Sequence, residues 1–184
     1  GHRVVAGGEV FKESVVITKD ILKQIDDLDV FAPLHNHVEV GGIELFRQLM
    51  PWTTQVAVFD SAFHQTMPEE NYLYGIPYDY HEKYGARKYG AHGTSVRYVS
   101  KRTAKFLQRP LEDLRLIVMH LGAGSSITAV SKGKSLDTSM GFTPLDGLIM
   151  NKRSGQVDAS LVMYLIKKLN LKNTDDMLNI LNNE

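Results

Sequence analysis

The chain has 184 residues, 43% hydrophobic and 23% charged, a balance that supports a sizeable core and argues against disorder. Lys plus Arg and Asp plus Glu each number 21, so the formal net charge is zero and the basic excess typical of an electrostatic nucleic-acid binder is missing. With no Cys there is neither a disulfide framework nor a thiolate nucleophile, and a reducing cytoplasm is compatible. No apolar run approaches the roughly 20 residues that span a bilayer, and no signal peptide is visible, so neither nucleic acid nor membrane is an expected partner.

In chain order, Arg3 to Ala6 and Val15 to Ile17 read as short strands. Thr18 is placed to cap a helix that carries Ile21, Leu22, Ile25 and Leu28 at helical spacing. Pro33 to Asn36 opens a loop. Gly41-Gly42 precedes a second helix with Ile43, Phe46 and Leu49 along one side and Pro51 as its stop. Gln55 to Phe59 is the clearest strand, with Asp60 at its carboxyl end, where open α/β sheets bind ligands. Phe63 to His92 reads as a long irregular segment rich in Tyr, Pro and Gly, its aromatics suited to cover a domain junction. Thr94 or Ser95 is placed to cap a helix to about Leu107 with Tyr98, Val99, Arg102 and Phe106 in one stripe.

Leu116 to Met119 is a short apolar run of the buried-strand kind. It is followed by Gly122 and Gly124, expected to allow positive φ and a close backbone approach, and by a second strand from Ser126 to Val130 that turns at Lys132-Gly133. Such a turn is either a backbone cradle for phosphate, with Ser125 and Ser126 as extra donors, or an ordinary hairpin. It is not a P-loop, because no Lys-Ser/Thr pair follows the glycines. Ser135 to Met140 is a further strand, Gly141 to Gly147 a loop, and Ala159 to Leu169 and Thr174 to Asn182 are helices. The mixture predicts an α/β fold.

Arg3, Asp60, His92 and Arg153 stand at strand ends or in glycine-flanked loops. Two guanidinium forks, a carboxylate and an imidazole suit phosphoryl transfer. Arg holds phosphate or carboxylate oxygens bidentately, cationic His donates to developing charge, and Asp orients a nucleophile or a metal-bound water. The seven His are scattered without H-E-x-x-H, so no metal ligand is assigned, and no G-x-S-x-G supports a serine hydrolase.

Several longer motifs then carry a resemblance. Gly1-His-Arg-Val-Val-Ala-Gly-Gly-Glu9, Ala32-Pro-Leu-His-Asn36, Val56-Ala-Val-Phe-Asp-Ser-Ala-Phe-His-Gln-Thr-Met-Pro68, Tyr89-Gly-Ala-His-Gly-Thr-Ser95, His120-Leu-Gly-Ala-Gly124 and Asp137-Thr-Ser-Met-Gly-Phe-Thr-Pro-Leu145 resemble the acetokinase family. The similarity runs over essentially the whole chain in the family's order. It implies a ribonuclease-H-like fold of the actin, sugar-kinase and chaperone-ATPase type, with residues 1–62 closing a first domain and 63–184 opening a second. It implies the reversible reaction ATP + acetate ⇌ ADP + acetyl phosphate, with Mg²⁺, in a cytoplasmic homodimer.

Residue by residue, the resemblance makes Asp60, His92 and Arg153 catalytic. Arg3 becomes substrate-binding, Val5, Leu34 and Pro144 a pocket for the acyl methyl, and His120, Leu121, Gly122, Ala123 and Gly124 a nucleotide-phosphate loop. Departures stand at Ala6, His37, Ala91, Val96, Ala123, Asn151-Lys152 and Gln156; Ala123 replaces an Asn amide, and Lys152 is placed to compensate as a charge. Alternatives within the resemblance are a propionate or other short-chain acyl kinase, or a non-catalytic relative that binds nucleotide or acyl phosphate. Because the family's first phosphate motif, adenosine motif and Mg²⁺-ligating Glu find no match here, the chain is expected to be a middle segment with little activity alone.

Overall fold

A computed structural model describes residues 1–29 and 36–183. Strands β1 (His2–Val4), β2 (Val15–Val16) and β3 (Val56–Phe59) form a sheet in the order β1-β3-β2, with β1 parallel and β2 antiparallel to β3. Helix α1 (Lys19–Asp26) starts as expected, the Thr18 side chain accepting from the Ile21 N–H at 3.2 Å. Its Leu22 and Ile25 join Val4, Phe11, Ile17, Val40, Ile43, Ala57 and Phe59 in one apolar core, with Phe11 stacked on Phe59 at 4.4 Å between centroids.

Helix α2 (Asn36–Leu49) corrects the expected boundary, for Gly41 and Gly42 lie inside it rather than before it. Each internal glycine costs a helix about 1 kcal/mol. The start is anchored by Asn36, which is wholly buried. Its amide accepts from the Ala6 N–H and donates to the carbonyls of Ala6 and Ile25. That tertiary anchor, with Val40 and Ile43 in the core, outweighs local propensity.

The stretch expected to be irregular contains a 3-10 turn over residues 62–66 and two short helices, α3 (Glu69–Tyr72) and α4 (Asp79–Tyr84). Arg87 ties it to the first sheet's flank. Its guanidinium lies 3.6 Å above the Tyr72 ring and donates to Glu9 at 2.6 Å.

Helix α5 (Gly93–Leu107) begins before the expected cap, with His92 ahead of it in the left-handed region at φ 62°. Its buried face is Val96, Ser100 and Ala104, while Tyr98 and Phe106 of the expected stripe are exposed. Small residues on the inner face bring the helix close to its neighbours; Val96 packs with Val118 and Val130. Strands β4 (Arg115–Leu121), β5 (Ser125–Ser131) and β6 (Lys134–Thr138) form an antiparallel meander. Lys132 and Gly133 both have positive φ, as a two-residue hairpin turn requires. Strand β4 is not a buried strand: only Val118 is buried, and Ile117, Met119 and Leu121 are exposed. It is an edge strand covered on one face, so its side chains alternate. Helices α6 (Ala159–Lys168) and α7 (Thr174–Asn183) follow, α6 capped by Asp158.

Two contacts fix how the two sheets meet. The Gly93 N–H donates to the Asp60 carbonyl at 2.8 Å. His64, wholly buried, reaches the Ala91 carbonyl from Nε2 at 2.9 Å and Ser135 Oγ from Nδ1 at 2.8 Å. A carbonyl only accepts, so Nε2 carries the hydrogen and Nδ1 accepts from the Ser135 hydroxyl. Burial pushes the His64 pKa down from 6.5 to about 4.

A Cβ on Gly93 would collide with the Asp60 carbonyl oxygen. Gly93→Ala is expected to destabilise the protein by about 1–3 kcal/mol, read as a lower urea midpoint. His64 also sets an acid limit. Its folded pKa lies below its unfolded one, so its contribution is intact above about pH 6.5 and is lost as pH falls toward 4. The full shift corresponds to about 3 kcal/mol. Stability curves across that window should fall less steeply in His64→Gln than in the unsubstituted protein.

Candidate active site

The parallel pairing of β1 with β3 sets Arg3 beside Val58, and the Asp60 N–H donates to the Val4 carbonyl at 2.9 Å. Asp60 therefore emerges one residue beyond β3, next to the Arg3 guanidinium. Arg3 Nε and Nη2 both reach Asp60 Oδ2, at 2.8 and 2.6 Å. The Asp60 side chain is 3% exposed and that of Arg3 57% exposed. The pair thus has a dry carboxylate and a wet guanidinium, which leaves donors of Arg3 open toward solvent.

His92 comes from the turn before α5. Its Nδ1 lies 2.9 Å from Ser126 Oγ, and its ring stacks on His120 at 3.9 Å between centroids. His120 stands opposite Ser126 in the β4–β5 ladder, and its Nδ1 lies 3.0 Å from Ser95 Oγ at the start of α5. Burial, then the neighbouring His120, pulls the His92 pKa down from 6.5 to about 4; Asp60 opposes this and the two arginines add to it. The sequence suggested a cationic imidazole; these surroundings hold the ring neutral at pH 7. An anionic phosphoryl group nearby would draw its pKa back up.

The hairpin tip also differs from expectation. Neither Gly122 nor Gly124 has positive φ. The close approach expected there is present: a Cβ on Gly124 would stand in van der Waals contact, 3.4 Å, with both His92 Nε2 and Arg153 Nη2, so these two groups converge over the tip. Ser125 Oγ donates to the Gly122 carbonyl at 3.1 Å, and Ser126 Oγ pairs with His92 Nδ1, so both hydroxyls that the sequence suggested as phosphate donors already have protein partners. Arg153 is aimed by its own bond from Nη1 to the Pro144 carbonyl at 2.7 Å, and burial lowers its pKa from the ordinary value.

Arg3, Val58, Asp60, His92, Thr94, Ser95, Tyr98 and His120 line one cleft of about 690 Å³. Sequence reasoning missed Val58, Thr94, Ser95 and Tyr98 as lining residues. Ser95 and Ser126 were visible in the motifs, but their role as partners of the two imidazoles depends on the fold. Arg153 is not on the cleft wall; it sits across Gly124 from His92. Val5 is buried beside Ala6, its N–H donating to Glu39 at 3.0 Å, and Pro144 is half-buried under Arg153; neither lines the cleft. Leu34 lies outside the described residues. Leu121, Gly122 and Ala123 are exposed at the hairpin tip. Among the described residues, no group of three or more His, Asp or Glu is placed to hold a metal ion.

A histidine-resolved proton NMR titration tests this electrostatic arrangement. The His92 ring should titrate near 4 in ligand-free buffer, and its midpoint should rise when inorganic phosphate or nucleotide is added. A midpoint near the ordinary 6.5 without ligand would contradict the desolvated, stacked geometry.

The profile of the Acetokinase family matches residues 1–184. An acetate kinase of Lacticaseibacillus paracasei is 65% identical over 184 residues and one of Lactiplantibacillus plantarum 63%, each comparison covering all of this chain and 46% of the relative. A solved propionate kinase from Francisella tularensis superposes with a TM-score of 0.95 at 50% identity, over 100% of this chain and 47% of that one. The structure of Porphyromonas gingivalis acetate kinase gives 0.90 at 43% identity, over 99% and 45%. The chain thus spans about half the length of the relatives it matches, and shares the α/β, ribonuclease-H-like fold of these kinases. With a family match over its full length and relatives this similar, the chain belongs to the acetokinase family.

Proposed function

We propose that the protein containing these residues transfers the γ-phosphoryl group of ATP to acetate, giving ADP and acetyl phosphate, and runs the reverse reaction. The observation that carries this reading is the convergence of the Arg3–Asp60 pair, His92 and His120 on one cleft, with Arg153 across Gly124 from His92. In this reading Arg3 holds the acid's carboxylate, and Asp60, through its ion pair, fixes the Arg3 guanidinium that orients it. A carboxylate oxygen attacks the γ-phosphorus in line while ADP leaves on the opposite side. His92 Nε2 and the Arg153 guanidinium donate to the equatorial oxygens, where charge accumulates. His120 and the backbone of Leu121, Gly122, Ala123 and Gly124 face the nucleotide phosphates.

Ala123 offers no side-chain donor there, and Lys152 is exposed nearby in sequence to supply charge. Val96 is wholly buried against Val118 and Val130, so that departure acts on packing rather than chemistry. Val5 and Pro144, with Leu34, stay assigned to the acyl methyl as the family resemblance implies, which sets the methyl beyond the cleft wall described above, Val5 two residues along from Arg3 and Pro144 bonded to Arg153. ATP enters with Mg²⁺. Asp60 is a single carboxylate already engaged by Arg3, so the described residues do not by themselves provide a magnesium site, and no step is assigned to the ion. Residues 1–62 and 63–184 belong to two successive ribonuclease-H-like domains of a cytoplasmic homodimer. The separate sheets β1–β3 and β4–β6 support that division. A second reading, propionate as acyl substrate, is favoured by the likeness to the Francisella propionate kinase.

Hydroxylamine trapping of acyl phosphate, with ATP and each short acid, tests the reading on the whole gene product. Acetate or propionate should give hydroxamate, and Arg153→Ala should lower kcat by about 10²–10³-fold. Absence of turnover with acetate, propionate and butyrate would overturn it.

A further inference from the structure

The turn that presents His92 is unusual. Gly90 and His92 both have positive φ, 74° and 62°. For the imidazole-bearing residue that conformation is unfavourable and persists only where its surroundings hold it. From one side the Tyr89 and Gly90 N–H groups donate to the Gly141 carbonyl at 3.0 and 3.2 Å. From the other, His64 Nε2–H donates to the Ala91 carbonyl, the last peptide oxygen before His92. The ring and the turn are in direct contact, since a Cβ on Gly90 would stand 2.9 Å from His64 Cδ2 and 2.5 Å from Thr138 Cγ2.

His64 is itself fixed on three sides. Its N–H donates to the Ser61 carbonyl and its own carbonyl accepts from Met67, in the 3-10 turn just beyond Asp60. Its Nδ1 accepts from Ser135 Oγ of β6. One residue therefore joins the turn after Asp60 through its backbone to the His92 turn and the second sheet through its ring. We infer that His64 is a positioning residue of the phosphoryl-transfer site: its uncharged ring, held between the Ser135 hydroxyl and the Ala91 carbonyl, fixes the left-handed turn that aims His92 Nε2 at the hairpin tip. The inference rests on the reading of the cleft proposed above. Imidazole suits the task because it accepts on one nitrogen and donates on the other without charge. The wholly buried ring resists protonation, which keeps that pattern intact. His64 does not line the cleft and acts only through Ala91.

The test compares the whole gene product with His64→Leu and His64→Gln, the latter keeping an amide N–H able to reach the Ala91 carbonyl. For His64→Leu, kcat should fall by about 10–100-fold, the scale of a displacement of order 1 Å, with KM for ATP and acid changed far less. His64→Gln should recover most of the loss. In spectra of isotope-labelled histidine, the His92 ring signals should move in His64→Leu and return toward their original positions in His64→Gln. A folded His64→Leu protein with unchanged kcat, or with unmoved His92 signals, overturns the inference. If His64→Leu does not fold, Ser135→Ala, which frees His64 Nδ1, is read in the same way. If the unsubstituted protein transfers no phosphoryl group, the functional reading has failed, and the His92 signals alone decide the role of His64.

Discussion

The hydrogen bond from the Gly93 N–H to the Asp60 carbonyl is the constraint on which the site depends. It joins the carboxyl end of β3 to the first residue of α5, and so joins two sheets that share no strand. Asp60 arrives from one side already paired with Arg3, and His92 from the other, one residue ahead of Gly93. No residue larger than glycine fits at that junction, because a Cβ would occupy the space of the Asp60 carbonyl. The proximity of carboxylate and imidazole is therefore set by backbone contact, not by flexible side chains. Preorganisation of this kind is what electrostatic stabilisation of a transferring phosphoryl group requires.

Around that junction the charges are unevenly solvated. Asp60 is dry and engaged by Arg3, whose guanidinium is largely wet. The two stacked imidazoles are bonded to serine hydroxyls, and Arg153 is anchored by a backbone carbonyl. The cleft thus holds one committed anion and several donors with spare capacity, an arrangement that favours an anionic ligand. Burial and the neighbouring His120 hold the His92 ring neutral, and an anion bound beside it would favour the protonated form.

The departures from the family motifs fall into two physical classes. Val96 is core, and its effect runs through packing with Val118 and Val130. Ala123 is exposed at the hairpin tip, where it accepts from the Asn151 N–H at 3.2 Å. That bond brings the Asn151-Lys152 departure against the Ala123 departure. The hairpin tip is therefore shaped by the loop that carries Arg153, and changes in one bear on the other.

The sequence by itself determined most element types outside the Phe63–His92 stretch, the strand that ends at Asp60, the Thr18 cap, the Lys132-Gly133 turn and the four polar residues at strand ends and glycine-flanked loops. Each is a local matter of periodicity, cap chemistry or positive φ, and the longer motifs added the family. What depends on contacts distant in sequence was decided only by tertiary structure. Asn36 starts α2 ahead of two glycines because it bonds to Ala6 and Ile25. Gly124 has no left-handed turn to serve, and which groups approach it, His92 and Arg153, is set by distant parts of the chain. Strand β4 is half-exposed because only one face of its sheet is covered, which an apolar run does not reveal. Ser126 and His64 turn inward because their partners lie in other elements. Local propensity acts over a few residues, whereas burial and hydrogen-bond satisfaction are properties of the assembled chain.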